Sequence, residues 1–171
     1  YQQPSASDGV FAWTTDVPHL AGPVGVANTD QFEFGLRAQD DVRAGRPITL
    51  GSTLRYVGPK ESVEIWASGV GPVSYSFKLA DGALRLEGVS TGDCRPFQMK
   101  RSQLYWLPYE KSGSFDPSGP SASFYTDFFS GDELKLPAGL WAVEGHLHLT
   151  MASCFGESTD ATATLPIRVL P

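Results

Sequence analysis

Apolar and polar residues alternate along most of the chain from residue 32 onward. Phe32, Phe34 and Leu36 alternate with Glu33, Gly35 and Arg37. This is the period of a strand buried on one side. Asp40-Asp41 breaks the run. Ile48, Leu50, Leu54 and Tyr56 then share a second face, with Thr49, Thr53 and Arg55 opposite, and Gly58-Pro59 closes that segment. Val63, Ile65 and Ala67 make a third short run. Val73, Tyr75, Phe77 and Leu79 alternate with Ser74, Ser76 and Lys78, and Asp81-Gly82 follows with Leu84 and Leu86 beyond it. An Asp-Gly pair between alternating runs predicts a hairpin with a type I′ turn, in which both central residues have positive φ. Trp141, Val143, Leu147, Leu149 and Met151 share one face of a long run, and Glu144, His146, His148 and Thr150 share the other. Ala161, Ala163, Leu165, Ile167 and Val169 alternate with Thr162, Thr164 and Arg168. Pro166 has no N–H to give a ladder, so that last strand is expected at an edge or bonded on one side only.

Other segments are less regular. Residues 1–30 are polar and rich in Pro, Gly, Ser and Ala, and are expected to form a partly flexible N-terminal arm. Residues 31–171 are expected to form the folded domain, with a loop insert at 108–133. Phe97 to Leu107 supplies one or two strands. Residues 112–123 are a loop by composition. Phe124, Tyr125, Phe128 and Phe129 have the spacing of a single helical turn. Seven to nine short strands with frequent turn signals predict an all-β fold, an antiparallel immunoglobulin-like β-sandwich. Each one-faced sheet must bury its apolar side against another. A closed barrel is the alternative.

The 171 residues suit one domain with a substantial core. The net charge of −6 is dispersed, and the densest basic stretch is Lys100-Arg101. A nucleic-acid partner, which needs a basic stripe, is therefore not expected. No apolar run approaches the roughly 20 residues of a membrane helix. Cys94 and Cys154 are expected to form one disulfide, the habit of secreted proteins. The opening Tyr-Gln-Gln-Pro-Ser-Ala-Ser reads as a mature end left by signal-peptide removal. Together these predict a secreted, extracellular or periplasmic protein associated with the cell surface.

Two stretches carry a resemblance. One is Val42-Arg43-Ala44-Gly45-Arg46-Pro47-Ile48-Thr49-Leu50, followed by Thr53-Leu54-Arg55-Tyr56. The other runs from Leu136-Pro137-Ala138-Gly139-Leu140-Trp141 to Leu147, with the closing strand Ala163 to Val169. They are similar to bacterial immunoglobulin-like domains, especially the BsuPI-type intracellular proteinase inhibitor family. About a third of the chain is covered. The resemblance implies the sandwich fold and, as a function, proteinase inhibition. No motif marks a reactive loop, so no inhibitory residue is carried over.

Candidate chemistry is sparse. His146 and His148 lie at i and i+2 on one strand face with Glu144 beside them, a set that would bind copper or zinc. A polar solvent-facing stripe is the plainer reading. No Gly-x-Ser-x-Gly elbow or triad pattern appears, so no catalytic residue is assigned and an enzyme is not expected. Asp40-Asp41, Asp127 and Asp132-Glu133 lack calcium-loop spacing and read as acidic turns. The aromatics Tyr105, Trp106, Tyr109, Phe115, Phe124, Tyr125, Phe128 and Phe129 crowd one region. They read either as a plug for the open end of the sandwich or as an interface for a protein partner or surface assembly. A carbohydrate-binding module is a further alternative.

Overall fold

The computed structural model describes residues 13–171. These form eleven strands and one helix in two sheets, mostly antiparallel. The first sheet joins β1 (Val24–Val26), β2 (Phe32–Ala38), β4 (Leu50–Tyr56) and β9 (Leu104–Pro108) in that order. The second contains β3 (Val42–Arg43), β11 (Ser158–Leu170), β10 (Gly139–Met151), β5 (Ser62–Ser68) and β8 (Cys94–Lys100). Strands β6 (Val73–Leu79) and β7 (Arg85–Glu87) extend it, with β6 paired to β10 and β7 to β6. The all-β sandwich predicted by the alternation is what forms. The count exceeds the expected seven to nine because β1, β3 and β7 are pieces of two or three residues, too short to show a period.

The alternation works as the hydrophobic effect requires. Phe32, Phe34 and Leu36 of β2 and Leu54 and Tyr56 of β4 are buried in one core with Phe77, Trp141, Val143, Leu147, Leu165 and Ile167 of the second sheet. Strand β11 pairs with β10 from Val169 opposite Gly139 to Ser158 opposite Thr150. Its other side meets β3 only at Val169 and Leu170, in parallel. Pro166 therefore sits where the strand is bonded on one side, facing Ala142.

Two local expectations change. The Asp81-Gly82 hairpin exists, but only Gly82 has positive φ, at 76°. The Gly82 N–H donates to the Leu79 carbonyl and the Leu79 N–H to that of Leu84. This longer turn asks for one left-handed residue, which glycine supplies, where a type I′ turn asks for two. The single helical turn becomes an eight-residue helix, α1 (Ala122–Phe129). Residues 94–108 do give two strands, but β8 joins the second sheet and β9 the first, so the chain crosses the sandwich between them. Part of the N-terminal arm is also strand. Beyond β1, Thr14 pairs with Trp106 at the edge of β9, with mutual backbone hydrogen bonds of 3.1 and 2.7 Å.

One irregularity shapes the surface. The thirteen-residue β10 is paired on its β5–β6 side by two separate strands. Leu147 lies opposite Val73, and Thr150 opposite Trp66. Between those pairs His148 and Leu149 face all of residues 67–72, so the opposing chain bulges outward. Strand β8 follows β5 and β7 follows β6, which splits the second sheet beyond β10 into two flaps.

Candidate functional site

The split opens a groove of about 460 Å³ on the outer face of the second sheet. Side chains at even positions of β10 point outward, which puts His146 and His148 on the groove floor. Register sets Thr162 beside His146 and Asp160 beside His148. The His148 Nδ1 lies 2.6 Å from Asp160 Oδ1, and His146 Nδ1 lies 3.2 Å from Thr162 Oγ1. The bulge with Ser68 and Val70 forms one wall, and the β7–β8 connection with Thr91 and Asp93 forms another. Trp66 borders the groove from β5. Its indole Nε1 donates to Glu64 Oε1 at 2.9 Å, which fixes the ring.

Hydrogen bonds hold the bulge to the β7–β8 connection. The Thr91 N–H donates to Ser68 Oγ at 2.8 Å, and the two hydroxyls also lie 2.8 Å apart. Asp93 accepts from the Gly69 N–H at 3.1 Å, from Arg95 Nε at 3.0 Å and from the Thr91 hydroxyl. The Thr91 hydroxyl first, then Arg95 and the Gly69 N–H, lower the Asp93 carboxyl from 3.8 to about 2. A Cβ at residue 69 would overlap that carboxylate, so any larger residue there would push the Asp93 side chain out of its place.

The expected Cys94–Cys154 disulfide is present, with Cα atoms 6.0 Å apart, and both cysteines line the groove. It ties the start of β8 to the β10–β11 turn. That turn is braced further. Thr150 Oγ1 donates to the Ser153 carbonyl at 2.6 Å, the Gly156 N–H donates to the same carbonyl at 3.1 Å, and the Ala152 N–H reaches the Glu64 carbonyl at 3.3 Å. Phe155, next to Cys154, is 98% exposed and is the one Phe, Tyr or Trp ring among the described residues lying open to solvent.

The residues singled out by sequence divide between two places. Glu144, His146 and His148 do share the outer face of β10, and Glu144 Oε2 lies 3.5 Å from His146 Nε2. Among the described residues no three His, Cys, Asp or Glu side chains converge as a metal-holding group. The aromatic residues lie elsewhere. Trp106 and Phe128 are buried, while Tyr109, Phe115, Phe124, Tyr125 and Phe129 are half-buried. Phe115 stacks on Tyr125 and Phe129 at 5.6 and 5.7 Å, and Tyr109 meets Tyr75 and Phe77 edge-on. Lys111 lies 4.4 Å from the Phe128 ring centre and donates to the carbonyls of Phe128 and Gly131. Burial lowers its pKa.

Sequence reasoning missed Trp66, Asp93, Asp160 and Thr162. Their segments meet only through sheet register and the disulfide. The run Gly69-Val70-Gly71-Pro72 was the available signal, since two glycines and a proline between alternating runs mark an interruption of the strand. The chain matches no family model, and no curated protein matches it. Among the described residues no helix is long and apolar enough to cross a membrane.

Proposed function

We propose that this protein is a non-enzymatic recognition module of an oxidising compartment, acting outside the cell or at its surface through the groove in its second sheet. The observation that carries this reading is the groove's construction. A concave site of a size ordinarily used for ligands sits where the disulfide, the bulge and the histidine stripe meet. Its walls are tied by a cystine and by side-chain hydrogen bonds, so little conformational freedom is left to lose on binding. The neighbouring Phe155 adds an exposed apolar side chain on a braced turn, a favourable anchor for a larger partner. The disulfide supports the compartment.

Binding to intact cells of the source organism tests the reading. Fluorescently labelled protein should decorate them. Thr162→Arg, which fills the groove floor from an exposed strand position, should abolish the decoration. Val26→Arg, on the edge of the opposite sheet, should leave it unchanged. Equal decoration by the Thr162→Arg variant would remove the groove from recognition.

A further inference from the structure

We infer that the groove takes a short neutral saccharide, a conclusion that rests on the groove being the recognition site. The lining chemistry selects this class by elimination. No lysine or arginine lines the groove among the described residues. A phosphate, sulfate or carboxylate ligand would therefore meet no countercharge, and it would face two carboxylates, Asp93 and Asp160. An amine ligand is matched little better. Asp93 already accepts three hydrogen bonds, one of them from Arg95, whose charge balances its own, and Asp160 is engaged by His148, which leaves lone pairs but no uncompensated charge at Asp93.

A peptide adding itself as a strand is also disfavoured. At the groove floor β10 is bonded on both sides, to β11 through the His148–Asp160 register and to the bulge through His148 N–H to the Pro72 carbonyl at 2.8 Å. Strand addition needs an unpaired edge.

What the groove does offer is hydroxyls, imidazoles and the spare lone pairs of paired carboxylates, set beside one fixed indole. Thr162 and Ser74 present hydroxyls that can both donate and accept, and Thr91, whose hydrogen goes to Asp93, presents an acceptor oxygen. His146 and His148 present ring nitrogens. Sugar hydroxyls have the same two-way character. The C–H side of a pyranose ring is weakly electropositive, and it suits the negative face of an aromatic ring. Trp66 is half-buried, with its N–H tied to Glu64, so its orientation is fixed before a ligand arrives. Fixed acceptors flanking a fixed aromatic face are the requirement for binding a neutral ring that carries many hydroxyls.

An array of purified neutral and anionic oligosaccharides, followed by titration calorimetry on the responding compounds, tests the inference with the intact disulfide-bonded protein. The expected result is binding of one or more neutral oligosaccharides and none of their sulfated counterparts. Trp66→Ala should weaken that binding by about tenfold or more. Asp160→Asn should weaken it while leaving the melting temperature near that of the wild type. Thr162→Arg should abolish it, and Val26→Arg should not change it. Silence of all neutral compounds, or binding that survives Thr162→Arg, overturns the inference. If the array is silent while cell decoration still depends on Thr162, the saccharide fails and the recognition reading stands. If decoration is insensitive to Thr162→Arg, both fail.

Discussion

Asp93 shows how much of the groove rests on single side chains. Its carboxylate gathers a backbone N–H, a hydroxyl and a guanidinium from three points along the chain. All three favour the charged form, so the folded pKa falls to about 2 from the ordinary 3.8. A depressed carboxyl contributes stability that is complete above its unfolded pKa and is lost as pH falls through the folded value. The contribution should therefore be constant above about pH 5 and disappear between about pH 4 and 2. Thermal melts of the wild type and Asp93→Asn should differ at pH 7 and converge toward pH 2. A gap that stayed constant down to pH 2 would show that the effect is not the carboxylate's charge. None of this was legible in the sequence, where Asp93 reads as a polar residue before a cysteine. Thr91 and Arg95 are two residues away on either side, but only the fold brings the Gly69 N–H to it and Ser68 to Thr91.

At the scale of elements, legibility followed the length of the period. Strands β2, β4, β6, β10 and β11 could be read directly, because a seven- or thirteen-residue alternation leaves one solution for which side is buried. The helix was underestimated. Its four aromatics hide a longer element, since Ser123 before them and Thr126 and Asp127 between them are weak helix formers. Among the described residues its first turn holds no acidic residue, its last turn no basic one, and Ser121 makes no side-chain cap. The charge its C-terminus lacks comes instead from Lys111, outside the helix, whose ammonium donates to the carbonyls of Phe128 and Gly131. A cation at that end is favoured by the helix dipole. Lys111→Met should keep an apolar side chain against Phe128 and remove the ammonium, and with it the two donors, the charge at the helix end and the cation over the ring. The expected cost is about 1 kcal/mol in urea unfolding, with faster amide exchange across residues 122–131. A variant with unchanged exchange there would show that the aromatic packing alone holds α1.

For the whole molecule, the decisive choice is where the disulfide lies. Cys94 and Cys154 are 60 residues apart in sequence, and closing such a loop is worth roughly 4 kcal/mol in the chain-entropy account. Domains of this kind have a net stability of roughly 5–15 kcal/mol, so the Cys94→Ser/Cys154→Ser protein should remain folded but with a narrow margin. The loss should also be uneven. Most of the continuous core lies between β2 and β4 on one side and β6 and the long β10–β11 ladder on the other, away from the cystine, while Val63 and Ile65 of β5 and Met99 of β8 add to it at one edge. Strand β8 is different. Within the second sheet it pairs with β5 alone, and β5 meets β10 at only two positions, Thr150–Trp66 and Met151–Ile65. The cystine thus secures the flap with the weakest ladder, the one that carries Trp66 and one side of the groove. Hydrogen exchange on the double-serine protein should show β2, β4 and the first half of β10 as well protected as before, with protection lost over β5, β8 and the turn at 152–157. Oligosaccharide binding and cell decoration should fall with that loss although the core persists. A uniform decrease in protection across both sheets would mean that the bridge stabilises the sandwich as a whole. The groove would then be a by-product of the fold and not the part the disulfide maintains.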